Sequence, residues 1–114
     1  MLDESLKKVI WVGSSLKNLK SFPEAVKDSV GYALHLIQQG RIPKSVKPLK
    51  GFKPQVMEIV TDCNTDAYRS VYSVKIDDSL YVLHCFQKKS KTGIKTPKNE
   101  IDLIKQRLKE AEIL

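Results

Sequence analysis

Short apolar runs, a helical stripe and alternating strands follow one another along this chain, and each change of rhythm marks an element. Residues 6–12 (LKKVIWV) hold the run Val9, Ile10, Trp11 and Val12, which Gly13 stops, so a first strand is predicted there. Ser14 and Ser15 can cap a short helix through Leu16 and Leu19. Phe22-Pro23 breaks that pattern and opens a longer helix, because proline is tolerated in a first turn and Glu24 suits the positive end of the helix dipole. Val26, Val30, Ala33, Leu34 and Ile37 fall on one face of it, and Gly40 stands at the usual stop position.

Residues 41–54 change character. Pro43, Pro48, Gly51 and Pro54 argue against regular structure, while Lys44, Lys47, Lys50 and Lys53 recur at every third residue, so a long basic loop is predicted. Strand patterning then takes over. Residues 56–60 (VMEIV), 68–76 (YRSVYSVKI) and 80–86 (LYVLHCF) are rich in β-branched and aromatic side chains and are separated by DCNTD and by DDS, which predicts an antiparallel meander. An even number of loop residues in the last turn would put Arg69, Val71 and Ser73 on one sheet face with His84, Phe86 and Lys88; an odd number would separate them. Thr96 and Pro97 form a helix start, followed by Ile101, Ile104, Leu108 and Ala111 at helical spacing. The outer face of this last helix mixes both charge signs, which suits packing or partner contact.

The order is that of an α+β protein: a small antiparallel sheet, made of a first strand and a three-strand meander, packed by two N-terminal helices, plus a C-terminal helix. A length of 114 residues supports one two-layer core, so a single domain over 1–114 is expected. Charge changes this picture more than composition does. The formal net charge is +7, and the excess is concentrated in residues 44–95, which carry ten basic and five acidic side chains. Residues 1–43 have six and four, and residues 96–114 four of each. A cationic cluster on the strand-and-loop region points to a polyanionic partner. No apolar run reaches the roughly 18 residues of a membrane helix, and the start MLDESLKK is unlike a leader, so a cytoplasmic protein without membrane attachment is expected. Cys63 and Cys85 form no CxxC pair and His35 and His84 have no ligand-like spacing, so no metal site and no cofactor are expected.

The candidate chemistry is therefore cationic: Lys47, Lys50, Lys53, Arg69, Lys88, Lys89, Lys91 and Lys95, with His84 as the neighbouring imidazole. Such a set can promote attack of an RNA 2′-hydroxyl on its own phosphate. Lysine and arginine stabilise the developing charge, and a lysine crowded by other cations can lose its proton more readily than its ordinary pKa of about 10.4 allows. Plainer readings compete. Lys88-Lys89 after a strand can be solvated charge, Arg69 an edge-strand charge, His84 a satisfied core histidine, and Tyr68, Tyr72 and Tyr81 ordinary packing. On the residues alone, binding of a nucleic acid or acidic partner is favoured over catalysis.

YRSVYSVKI followed by YVLHCFQKKSKTGIKTPKNEIDLIKQRL, with KPLKGF upstream, resembles the RelE/ParE superfamily of bacterial toxins, in its HigB-like, phage-derived branch. The likeness runs from about Trp11 to Leu108 and centres on the LHxFxKKxxKTP-type run, here with Gly93-Ile94 inserted before Lys95. It implies a metal-independent mRNA endonuclease that works on the ribosome and is silenced by a cognate helix-turn-helix antitoxin. Arg69 would hold the scissile phosphate. Lys88, Lys89, Lys91 and Lys95 would be loop cations contacting message or ribosomal RNA, and Lys47, Lys50 and Lys53 a second basic wall. His84 would either titrate in the reaction or support the loop. The C-terminal helix lacks the late aromatic acid/base residue of some relatives. The alternatives are a ParE-like toxin that inhibits gyrase without cleaving RNA, and a non-catalytic RNA-binding module.

Overall fold

The computed structural model describes residues 6–53, 55–74, 78–88 and 96–113. Three helices and five strands follow in the order β1 (Val9–Trp11), α1 (Ser15–Lys20), α2 (Glu24–Gln38), β2 (Val46–Pro48), β3 (Val56–Cys63), β4 (Asp66–Val74), β5 (Leu80–Lys88) and α3 (Lys98–Ile113). The strands make one sheet in the order β1-β5-β4-β3-β2. The α+β class, the two N-terminal helices and the β3-β4-β5 meander are as the patterning predicts.

Three details differ from the sequence expectation. β1 runs parallel to β5, with Val9 opposite Leu80 and Trp11 opposite Val82, so the sheet is mixed. A strand separated from its partner by two helices is free of the hairpin geometry that forces antiparallel pairing, and apolar patterning carries no direction. Second, the basic loop contains β2, which pairs antiparallel with β3 through Val46–Ile59, Lys47–Glu58 and Pro48–Met57. Proline is tolerated there because β2 is an edge strand. Third, the β3-β4 connection tightens to Asn64-Thr65, with Cys63 opposite Asp66 and Asn64 at φ 58°. Asparagine is among the few side-chain-bearing residues that accept this left-handed conformation. The expected continuation of β4 through Ile76 lies outside the described residues.

Helix α2 ends as its glycine suggests. The amide of Gly40, at φ 84°, donates to the carbonyl of Ile37 (2.9 Å), and the amide of Arg41 donates to that of Leu36 (3.0 Å). This pair of bonds is a Schellman cap. Two hydrophobic clusters lie on opposite faces of the sheet. Val26, Val30, Ala33, Leu34 and Ile37 of α2 meet Ile59, Tyr68, Tyr72, Leu80, Val82 and Cys85 on one face. On the other, Ile104 and Ala111 of α3, with Leu108 beside them, meet Val56, Val71, Tyr81, Leu83 and Phe86.

The sheet is not regular at β5. Val71 pairs with His84 and Tyr72 with Val82, so Leu83 is an extra residue in a β-bulge. A bulge places two residues of one strand against one of its partner. Leu83 can therefore join the α3-side cluster while His84, Phe86 and Lys88 keep the parity of Arg69 and Val71. The expected shared face is realised through this bulge.

Ile104 is completely buried between α3 and the sheet. Ile104→Ala should lower the unfolding free energy by about 2–5 kcal/mol, read as a lower urea midpoint with an unchanged m-value.

Candidate functional site

Paired residues on neighbouring strands share a face, so the registers place Lys47, Glu58, Val71 and His84 in one row across β2, β3, β4 and β5. The next row toward the Asn64 turn holds Val60, Arg69 and Phe86, and beyond it Lys88 stands opposite Ala67. Four charged groups, Lys47, Glu58, Arg69 and Lys88, thus share the α3-side face with Val71 and Phe86 of the apolar cluster.

Arg69 Nη1 donates to Glu58 Oε1 at 3.0 Å. Both side chains are almost wholly buried, at 9% and 4% relative exposure for the residues. A buried charge needs a partner of opposite sign, and Glu58 supplies it for Arg69. Lys88 is equally buried, at 5%, yet its Nζ has no hydrogen-bond partner among the described residues. Arg69 Nε is unpartnered as well. Burial holds the proton affinity of Lys88 below its ordinary value, and the nearby Arg69 and Lys47 cations push it the same way while Glu58 opposes them. Lys47 itself is exposed on the edge strand. With all groups ionised the cluster carries three positive charges against one negative, with donors left over for an anion.

His84 sits in a different setting. Arg107 of α3 donates from Nη1 to the carbonyl of Leu83 (3.0 Å) and faces His84 Nδ1 at 3.3 Å. Guanidinium has only donors, so Nδ1 must be the acceptor and Nε2 must carry the ring proton, which it donates to Glu100 Oε1 at 2.6 Å. Arg107 Nη2 also reaches Ser14 Oγ at 2.7 Å. Gly13, at φ 57°, makes room for this arginine: a Cβ there would lie 2.8 Å from Arg107 Nε. Burial is the main cause lowering the proton affinity of His84. Glu100 opposes it and Arg107 reinforces it. The ring also stacks on Phe86, with centroids 5.1 Å apart. Both nitrogens of His84 are committed to α3.

The other expected positions divide sharply. Lys50 and Lys53 are exposed in the turn that leads from β2 to Val56, at the opposite end of β3 from Lys88, and do not join the charged cluster. Lys89, Lys91 and Lys95 lie outside the described residues. Tyr68, Tyr72 and Tyr81 are buried in the two clusters and do not form a stacking platform. Burial raises the Tyr72 hydroxyl to about 12 and the Cys85 thiol to about 11, so both stay protonated at neutral pH. Glu58, Glu100 and Arg107 were not anticipated. A signal for Glu58 is present in VMEIV, where a carboxylate interrupts an apolar strand. Arg107 carries the same signal, falling on the apolar stripe of α3 between Ile104 and Ala111.

The sheet order and the placement of its helices define a RelE-like toxin fold. The structure superposes on a mutant of Escherichia coli toxin RelE in the free state with a TM-score of 0.59 and 16% identity, over 92% of this chain and 97% of that one. It also matches a chain of the RelBE2 toxin–antitoxin complex of Mycobacterium tuberculosis, with a TM-score of 0.52 and 15% identity over 73% of this chain and 99% of the other. Residues 17–109 match the family described as phage derived protein Gp49-like (DUF891), and the chain belongs to that family. No curated protein matches it significantly.

The state of His84 has a measurable consequence. Its folded proton affinity is held below the ordinary value of 6.5. As pH falls below about 6.5, the unfolded chain therefore gains a proton that the folded chain resists. The stability that neutral His84 contributes is complete above that pH and is lost as pH drops toward its folded value. Unfolding free energies from urea titrations at about pH 7.5 and about pH 5.5 should fall more for the wild type than for His84→Gln.

Proposed function

We propose that residues 1–114 form one toxin domain of a type II toxin–antitoxin pair, of the HigB-like kind, acting in the cytoplasm as a metal-independent endoribonuclease on ribosome-bound mRNA. The observation that carries this reading is Lys88: a buried amine with no hydrogen-bond partner among the described residues, near the Arg69–Glu58 pair and Lys47. A solvated lysine kept for solubility does not need this setting, because burying it without a partner costs free energy. A phosphate entering the cluster would supply the missing acceptor.

In the proposed reaction the RNA 2′-oxygen attacks the adjacent phosphorus and the bond from phosphorus to the 5′-oxygen breaks, leaving a 2′,3′-cyclic phosphate and a 5′-hydroxyl. Neutral Lys88, made accessible by burial and by neighbouring cations, accepts the 2′-hydroxyl proton. Arg69 and Lys47 stabilise the charge gathering on the phosphoryl oxygens, and the departing 5′-oxygen takes its proton from solvent. His84 supports the strand that carries Lys88. Lys89, Lys91 and Lys95 would bind flanking RNA, with Lys50 and Lys53 as a more distant basic surface. The RelBE2 complex of the M. tuberculosis neighbour supports a partner antitoxin for this chain as well, proposed here as a helix-turn-helix protein.

Inducing the protein without an antitoxin and mapping message 5′ ends tests this reading. Wild type should produce new 5′-hydroxyl ends, while Arg69→Ala should reduce cleavage by roughly 10²–10³-fold, the scale for losing one charge-stabilising donor, and Lys88→Ala by roughly 10²–10⁴-fold, the scale for losing a general base. Intact transcripts accompanied by inhibited gyrase would point instead to a ParE-like activity.

A further inference from the structure

Glu58 is the acidic member of the charged cluster, and it came to light only through the strand registers. We infer that Glu58 is a positioning residue of the site: its carboxylate orients Arg69 and, standing opposite Lys47 across the strands, keeps one negative charge among the cations of the cluster. Its catalytic consequence rests on the RNA-cleavage reading, whereas the Glu58–Arg69 contact stands independently of it.

The geometry has three parts. Glu58 Oε1 accepts from Arg69 Nη1 at 3.0 Å, which fixes one edge of the guanidinium, while Arg69 Nε has no hydrogen-bond partner among the described residues. Glu58 also stands directly opposite Lys47 in the β2–β3 register, so the same carboxylate faces a second cation across the strands. Its side chain is 5% exposed, so water screens these interactions little. The groups bearing on Lys88 are Arg69 and Lys47, which favour its neutral form, and Glu58, which favours its charged form. Replacing Glu58 by glutamine keeps an oxygen that can accept from Arg69 and removes only the charge. Replacing it by alanine removes both.

The test uses full-length protein, a short RNA substrate and isotope-labelled lysine. In Glu58→Gln, cleavage should persist with its acid limb moved to lower pH, since neutral Lys88 forms more readily once the carboxylate charge is gone. Glu58→Ala should fall at least about tenfold below Glu58→Gln across the pH range, because Arg69 loses its anchor. Lys47→Gln, at an exposed position that does not threaten folding, should move the acid limb the other way, to higher pH. Lysine NMR provides a readout independent of activity: the Lys88 ammonium should titrate at lower pH in Glu58→Gln and at higher pH in Lys47→Gln.

Superimposable Lys88 titrations in wild type and both variants would overturn the inference. So would a folded Glu58→Gln protein that binds RNA yet cleaves at no pH, which would make the carboxylate itself the proton acceptor. A wild-type protein that shows the Lys88 shifts but never cleaves RNA would leave the electrostatic inference standing and remove the nuclease reading.

Discussion

Charge buried on one face of a sheet is the constraint around which this structure is arranged. An ion moved from water into a protein interior loses several kcal/mol of solvation, and only close opposite charge or well-placed hydrogen bonds return it. Glu58 does this for Arg69 at 3.0 Å. Lys88, equally buried, is left without a hydrogen-bonding partner among the described residues. An interior selected only for stability would fill that position with an apolar side chain. This asymmetry between Arg69 and Lys88 is the basis for the proposal that the face is functional.

A second polar assembly holds the first in place. Arg107 binds the Leu83 carbonyl, His84 and Ser14, while Glu100 takes the other nitrogen of His84. The same strand that carries Lys88 is thereby fixed to α3 and to the Gly13-Ser14 turn. The β-bulge at Leu83 contributes by letting an apolar residue and His84 serve the same face of the sheet. Histidine is often read as a proton carrier wherever it stands near cations. Here its hydrogen bonds favour a neutral, fixed ring, and the proposed proton transfer falls to the lysine two turns of the pleat further along.

The two hydrophobic clusters place the buried charges toward one end of the α3-side face. Ile104, Leu108 and Ala111 of α3 cover the part of the sheet that contains Val56, Val71, Tyr81 and Leu83. Toward the Asn64 turn, the same face carries Arg69 and Lys88 beside Val60 and Phe86. The RelE-like fold is shared with solved structures at only 15–16% identity.

Much of the fold was legible because apolar periodicity reports burial directly: the α2 stripe from Val26 to Ile37, the meander strands and the α3 stripe were all readable in order. Arg69, Lys88 and Lys47 were identifiable as site candidates because cations clustered in one segment. Direction and pairing were not legible, since the parallel β1, the short β2 inside a proline-bearing loop and the bulge at Leu83 depend on contacts between distant segments. The grouping of the site followed from the same contacts. Only the registers set Glu58 beside Arg69 and left Lys50 and Lys53 at the far end of the strands, and only the packing of α3 committed both nitrogens of His84. Sequence determined which segments would be apolar and which would be charged; tertiary structure decided which charges meet, because an ion pair is a property of distance and burial.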